Sequence, residues 1–165
     1  MWLVGMMGSG KSTVGEAAAS RIGVRFFDTD RMVVELAHMS LPEIWDGVGE
    51  EGFRRLERKA VAAVPHSGCV AAAGGGAVLS EENREHMRKG APVVWLRCRP
   101  EKLAERVEGL GGRPLLDGVG PVADRLTEIL AGRAQLYEEV ATDVVDTDAR
   151  DIAEVVNEVV EIWGN

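Results

Sequence analysis

The sequence predicts an α/β fold in which a parallel five-stranded sheet carries helices on both of its faces. Three observations support this. Strand-like apolar segments alternate with helix-like segments along the 165 residues of the chain. A glycine-rich loop directly follows the first predicted strand, and Asp- or Gly-rich clusters follow the second and third. Repeated strand–helix units form parallel sheets, and ligands collect at the carboxyl ends of their strands.

Each element is predicted from its apolar pattern and from the residues that begin and end it. The first helix ends at Gly23, and Ser40 with Pro42 begins another, as is typical of helix N-termini. The helix over 50–64 carries its apolar residues along one side. The predicted strands are 2–4, 24–27, 69–73, 92–96 and 144–145. The predicted helices are 14–22, 31–37, 41–46, 50–64, 81–88, 100–107, 122–140 and 151–163.

Length and composition indicate a single globular domain over residues 1–165. Hydrophobic residues make up 45% and charged residues 28% of the chain, which is ordinary for a globular protein. The formal net charge of −8 argues against nucleic-acid binding, since such surfaces are normally basic. No apolar stretch reaches the ~18 residues that a membrane span requires. We therefore expect a cytoplasmic monomer that has neither membrane nor nucleic-acid partners.

The cysteines and histidines suggest no separate chemistry. Cys69 and Cys98 lie in or beside apolar strand-like runs, so we expect buried free thiols rather than a disulfide. His38, His66 and His86 have no spacing that suggests metal ligation or a nucleophilic triad. We expect them to be surface or loop residues.

Residues 5–12 form a complete phosphate-binding loop, Gly-x-x-x-x-Gly-Lys-Ser, between a strand and a helix. Its glycines let the backbone fold into a concave nest around an anion. The N–H groups of that nest and of the following helix N-terminus favour negative charge. Lys11 can reach the β and γ phosphate oxygens, and the Ser12 hydroxyl can ligate Mg²⁺. The loop therefore predicts a nucleoside triphosphate and Mg²⁺ as ligands.

Two further clusters are predicted to meet the phosphate loop at one edge of the sheet. Asp28 and Asp30 follow the second strand. One can stand near Mg²⁺ and the other can face an acceptor as a general base or orienting group, or both can cap the next helix. The residues 74–76 are three glycines that follow the third strand. They permit close backbone approach to a small polar ligand. The alternative interpretation is a plain tight turn that binds nothing.

Several arginines could supply the positive charge that anionic ligands need. Arg54 stands beside the predicted apolar face of helix 50–64 and could reach a carboxylate through a bidentate fork, unless it is simply exposed. Arg113 lies in the Gly- and Pro-rich segment 109–121, which suits a mobile lid that closes over the γ-phosphate. Arg133 lies on the helix after that lid. Solvated side chains remain an alternative for Arg113 and Arg133.

Taken together, these motifs resemble the shikimate kinase family, P-loop small-molecule kinases with a fold of the nucleoside monophosphate kinase type. The resemblance runs from Gly5 to the final helix. It rests on the order of five motifs rather than on the phosphate loop alone. These motifs are Gly-Met-Met-Gly-Ser-Gly-Lys-Ser, Asp28-Thr29-Asp30, Phe53-Arg54-Arg55-x-Glu57, Gly74-Gly75-Gly76-Ala77-Val78, and Arg113-Pro114-Leu115-Leu116 followed by Arg133.

The resemblance implies an enzyme of aromatic amino acid biosynthesis that phosphorylates the 3-hydroxyl of shikimate with ATP and Mg²⁺. It implies catalytic roles for Lys11, Asp30 and the lid residue Arg113, and metal binding by Ser12 and Asp28. The region 31–64 would bind the acceptor. The implied nucleotide-binding residues are Gly8, Ser9, Gly10, Lys11, Ser12, Thr13, Arg106, Arg113 and Arg150. The implied acceptor-binding residues are Asp30, Arg54, Gly74, Gly75, Gly76 and Arg133.

Two alternatives remain at this stage. One is a related kinase of another small hydroxy acid such as gluconate, because arginines flanking an acid pocket suit either acceptor. The other is a nucleotide-binding protein without catalytic activity, which loss of Lys11, Asp30 or the lid arginine would have favoured. The family often has a proline in the adenine loop after Arg150, where this chain has Asp151 and Ile152.

Overall fold

The computed structural model describes residues 1–107 and 120–164, and these residues contain a five-stranded sheet. The strands lie in the order β2-β3-β1-β4-β5, and every neighbouring pair is parallel. The predicted α/β fold is therefore confirmed. The strands are β1 (Trp2–Val4), β2 (Arg25–Asp28), β3 (Cys69–Ala72), β4 (Val93–Arg97) and β5 (Asp143–Asp146).

The helices connect these strands close to the positions that the sequence predicts. Most ends agree within one or two residues, the precision expected of helix boundaries. The helices are α1 (Lys11–Ile22), α2 (Thr29–Ala37), α3 (Leu41–Ala63), α4 (Glu81–Met87), α5 (Pro100–Val107), α6 (Val122–Ala131), α7 (Ala134–Val140) and α8 (Ile152–Gly164). A short 3₁₀ helix spans Ala77–Leu79.

The sheet is covered by helices on both faces because alternate strand residues point to opposite sides. Leu3 points toward α1 and α8 and joins a core that includes Val14 and Val156. Trp2 and Val4 point to the other face, into a core that also takes in residues from α3 to α7. Both cores are fully buried, so the sheet forms the middle of three layers.

Helix α3 bends at Gly49, which separates the two helices predicted over 41–46 and 50–64. Gly49 has φ 66° and ψ −178°, a conformation that glycine adopts far more easily than other residues. The segment before the bend packs Ile44 against Val33 of α2, and Phe53 lies just after the bend in the same cluster. The predicted acceptor-binding region 31–64 is therefore a small helical unit with its own apolar centre.

The prediction of one continuous helix over 122–140 is wrong. Helix α6 ends at Ala131, and α7 begins at Ala134. Gly132, a weak helix former, ends the first helix, and Arg133 leaves helical geometry with φ −124° and ψ −18°. The break directs the Arg133 side chain toward the turn after β3, where it makes a hydrogen bond.

Two smaller observations concern the cysteines and the membrane. Cys69 and Cys98 are buried free thiols, as predicted. In the part of the chain that the structure describes, no helix combines the length and apolar character needed to cross a bilayer.

Candidate active site

The phosphate loop lines a cleft of about 510 Å³ at the carboxyl edge of the sheet. The loop leaves β1 and ends at Gly10, which precedes α1 with φ 93°, so a side chain here would strain the backbone. Asp28, Asp30 and Gly75 line the same cleft. The predicted meeting of three separate motifs at one edge of the sheet is confirmed.

Two buried polar side chains of the phosphate loop are suited to bind an anion. Lys11 is 9% exposed, and its ammonium donates to the carbonyl oxygens of Gly5 at 2.9 Å and Met6 at 2.8 Å. The Ser9 hydroxyl is buried and has no hydrogen-bond partner among the described residues. A buried polar atom without a partner is costly, and a phosphate oxygen would relieve that cost.

Asp28 connects the phosphate loop to the end of β2. One of its oxygens, Oδ2, accepts a 2.6 Å hydrogen bond from the Ser12 hydroxyl. The other, Oδ1, accepts from the backbone N–H groups of Asp30 and Arg31 and so caps α2. Both interpretations of Asp28 made from the sequence are thus compatible, because each uses a different oxygen. The hydroxyl and carboxylate are hard oxygen donors of the kind that Mg²⁺ prefers.

The glycine turn after β3 lies against the two carboxylates of Asp30 and Glu57. Its first N–H, from Gly74, donates to the buried Thr29 hydroxyl at 2.8 Å. A Cβ at Gly74 would lie 2.5 Å from Asp30 Oδ1 and 2.9 Å from Glu57 Oε1. A side chain at this position would displace both carboxylates. Only a glycine therefore lets the turn lie so close to them.

Arg54 reaches the same turn from α3. Its Nη1 donates to Glu57 Oε2 at 2.8 Å, and its Nη2 donates to Glu50 Oε1 at 3.3 Å. Glu57 is 1% exposed, and burial raises the pKa of its carboxyl while the Arg54 charge opposes that rise. Arg54 is therefore an oriented, largely buried guanidinium, and the alternative of a solvated surface arginine is wrong.

Arg133 also reaches the glycine turn. It is 7% exposed, and its Nη1 donates to the carbonyl oxygen of Gly75 at 3.1 Å. The same oxygen accepts a 2.6 Å hydrogen bond from the hydroxyl of Tyr137, one helical turn further along. Complete burial raises the pKa of Tyr137 to about 12. Two guanidinium groups thus flank the glycine turn, one from α3 and one from the start of α7.

The outer end of the cleft combines two arginines with apolar side chains. Arg106 donates to the carbonyl of Thr147 at 2.6 Å and to that of Gly8 at 3.5 Å. Arg150 is held by a contact with Glu158. Ile152 and Val155 line the same end, and Ile152 is 55% exposed. Two arginines and two apolar side chains therefore line the cleft beside the phosphate loop.

The structure brings together nearly all of the site residues that the sequence suggested. Gly8, Ser9, Gly10, Lys11, Ser12 and Thr13 line the cleft with Asp28, Asp30, Gly75, Arg106 and Arg150. Arg54, Gly74, Gly76 and Arg133 lie at the adjoining glycine turn. Arg113 and most of the predicted lid 109–121 fall outside the described residues.

Three buried polar residues at the site were assigned no role of their own in the sequence analysis, although Thr29 and Glu57 lie within its motifs. Thr29 lies between the two aspartates, Glu57 is three residues after Arg54, and Tyr137 is four residues after Arg133. Their spacing from the arginines could have indicated Glu57 and Tyr137, because residues three or four apart share one face of a helix. The partners of Thr29 and Tyr137 on the glycine turn could not be found this way, since they lie 45 and 62 residues away in sequence.

The parallel sheet, the phosphate loop and the flanking arginines define a P-loop kinase fold with a small polar pocket beside the phosphates. The sequence model of shikimate kinases matches residues 7–163. A shikimate kinase from Symbiobacterium thermophilum is 45% identical over 96% of this chain and 92% of its own length. The solved shikimate kinase from Acinetobacter baumannii, in complex with shikimate, superposes with a TM-score of 0.92 at 32% identity. That match covers 97% of this chain and 89% of the other. The chain belongs to the shikimate kinase family.

A gluconokinase from Sinorhizobium meliloti shares the fold alone. Its TM-score is 0.60 at 23% identity, over 99% of this chain and 90% of its own. This likeness gives no support to gluconate as the acceptor.

Proposed function

We propose that this protein transfers the γ-phosphoryl group of ATP to the 3-hydroxyl of shikimate. The observation that carries the proposal is the position of the glycine turn. A Cβ at Gly75 would lie 3.4 Å from the backbone nitrogen of Met7, so the turn packs directly against the phosphate loop. An acceptor held at this turn by its carboxylate and hydroxyls would lie next to the terminal phosphate.

The arginines at the turn match the carboxylate of shikimate. Arg54 and Arg133 present planar guanidinium forks, which bind carboxylates in a bidentate manner. Both are largely buried, so their charges are screened less than those of surface residues. In a protein of net charge −8, this local positive field allows two anionic substrates to bind side by side.

Asp30 is the residue that would face the acceptor hydroxyl. Its carboxylate lies beside Gly74, at the junction of the glycine turn and the cleft. It would accept a hydrogen bond from the 3-hydroxyl and orient that oxygen toward the γ-phosphorus. A bond forms between them as the bond from the γ-phosphorus to the β,γ-bridging oxygen breaks. The hydroxyl proton is released to Asp30 or solvent, and ADP leaves.

Lys11 and the phosphate loop would stabilise the charge that spreads over the transferring group. Phosphoryl transfer depends mainly on positioning and charge neutralisation rather than on covalent catalysis by the protein. The chemistry that Mg²⁺ would supply when bound is neutralisation of the negative charge on the phosphates. Ser12 and Asp28 are the residues that would hold it. Arg113 would add a further positive charge from the lid, and closure of 109–121 would exclude water that otherwise hydrolyses ATP.

The test is a coupled ADP-release assay with ATP, Mg²⁺ and either shikimate or gluconate. We expect turnover with shikimate and only background release with gluconate. Turnover on gluconate alone would replace the proposed acceptor. Nucleotide binding without transfer to either compound would point to a protein that binds ATP but does not use it. The Lys11→Ala variant supplies the background rate.

We further propose that the enzyme acts as a monomer in the cytoplasm. Size-exclusion chromatography with light scattering checks the monomer, and cell fractionation checks the compartment.

A further inference from the structure

One backbone carbonyl oxygen links the two halves of the proposed site. The carbonyl oxygen of Gly75 accepts hydrogen bonds from Tyr137 at 2.6 Å and from Arg133 at 3.1 Å. Tyr137 and Arg133 are four residues apart across the start of α7, so both can reach one acceptor. A single carbonyl of the glycine turn thus holds the guanidinium that would bind the acceptor carboxylate.

Tyr137 is itself held firmly by the sheet. Its side chain is completely buried and its ring stacks on Trp95 of β4, with centroids 5.6 Å apart. Its oxygen also lies 3.7 Å from the sulfur of Met6 in the phosphate loop. The phenol therefore contacts the nucleotide side and the acceptor side at once, on a rigid support.

The two donors to Gly75 are not equivalent. Arg133 carries five N–H groups and must offer some of them to a bound carboxylate. Tyr137 has one O–H, and nothing in the proposed chemistry calls on it. Its pKa of about 12 keeps that proton in place throughout the neutral range. The phenol can thus hold the Gly75 carbonyl steady while the arginine engages a substrate.

We propose that Tyr137 is a positioning residue for the acceptor site, acting on the glycine turn and on Arg133 through the Gly75 carbonyl. Without the phenol hydroxyl, Arg133 is the side-chain donor that remains for this carbonyl among the described residues. The guanidinium would then have to bind both the Gly75 carbonyl and the substrate carboxylate. The glycine turn would be held less firmly against the phosphate loop. This inference rests on the proposed function, because it assumes that the acceptor binds at the turn.

The test is the Tyr137→Phe variant, which removes one oxygen and keeps the ring stacked on Trp95. We expect the KM for shikimate to rise about tenfold, the value of one well-formed hydrogen bond, with the KM for ATP nearly unchanged. The matched control is Thr142→Val, which removes a hydroxyl bonded to the Val93 backbone at the start of β4. That control is expected to lower the melting temperature without moving either KM.

The outcomes separate this inference from the proposed function. If the wild-type protein does not phosphorylate shikimate, the proposed function itself fails. If the wild type is active and Tyr137→Phe leaves the shikimate KM unchanged, the positioning role is wrong. It is equally wrong if the KM values for shikimate and ATP rise together, since that result indicates a general loss of structure.

Discussion

The Arg54 guanidinium occupies the space that a side chain at position 76 would need. A Cβ built on Gly76 would lie 2.6 Å from Arg54 Nη2 and 2.7 Å from its Cζ. Gly76 has φ −96° and ψ −3°, which any residue can adopt. The glycine is therefore required by space and not by backbone conformation, so the cost of replacing it should appear in acceptor binding.

Gly76→Ala should displace Arg54 and raise the KM for shikimate about tenfold, with a much smaller effect on the KM for ATP. Steady-state kinetics with each substrate varied in turn gives both constants. Gly164→Ala is the matched control, because among the described residues a Cβ at Gly164 meets no atom within 4 Å and the position is far from the acceptor-binding region in sequence. Equal kinetic effects of the two alanines would contradict the steric explanation.

Removing either guanidinium should weaken acceptor binding more than nucleotide binding. Arg54→Ala and Arg133→Ala should each raise the KM for shikimate about 10- to 100-fold, since each removes charged hydrogen bonds to a carboxylate. Isothermal titration with shikimate and with ADP separates the two affinities. An Arg133→Ala variant that binds shikimate as tightly as the wild type does would remove Arg133 from the acceptor site.

Lys11→Met keeps most of the side-chain volume and removes the charge. We expect kcat to fall about a thousandfold or more, because the amine neutralises charge on the transferring phosphoryl group. The amine also bonds two loop carbonyls, so the melting temperature must be measured on the same sample. A folded variant that retains near-normal kcat would show that the loop backbone alone carries the catalysis.

Glu57 should make the protein less stable as the pH rises. Burial raises the pKa of its carboxyl in the folded state above the ordinary value of 4.5. The folded state then binds the proton more tightly than the unfolded state does. The favourable contribution is fully present below pH 4.5 and is lost as the pH rises through the higher folded pKa.

The measurement is the free energy of unfolding by urea for wild type and Glu57→Gln at a series of pH values. The stability of the wild type relative to the variant should decline from pH 4.5 upward and then level off. A difference that increases with pH would mean that the ion pair with Arg54 outweighs burial.

The protein has a single tyrosine, so its ionisation can be followed without overlap. The phenolate absorbance of the native protein should appear near pH 12, well above the ordinary value of 10.0. The same titration in denaturant should shift back to the ordinary value. Ionisation of the native protein at the ordinary value would show that Tyr137 is accessible to solvent and does not hold Gly75.

The sequence predicted the sheet and the phosphate loop because both depend on local patterns. Strand–helix alternation places the loops after β1, β2 and β3 at one edge, and each carries its own glycines or aspartates. The break at Gly132 was missed because one glycine can also lie inside a helix at modest cost. Arg133 and its partner on the glycine turn are 58 residues apart, and nothing near Arg133 in the sequence indicates that contact.

The roles of Glu57, Tyr137 and Thr29 likewise depend on tertiary contacts. Each is an ordinary helix or loop residue when read along the chain. Each is buried against the glycine turn: Thr29 and Tyr137 make hydrogen bonds to Gly74 and Gly75, and Glu57 fills the space that a Cβ at Gly74 would need. Sequence patterns record the glycines but not the side chains that fill the space around them.

The strand order β2-β3-β1 has a consequence for how the two substrates meet. The phosphate loop follows β1 and the glycine turn follows β3. These two strands are neighbours in the sheet, with Leu3 paired to Ala72. Neighbouring strands are held about 4.8 Å apart, so the ladder itself sets the separation of the two loops. The separation of the phosphate loop and the glycine turn is therefore fixed by the backbone before either proposed substrate binds.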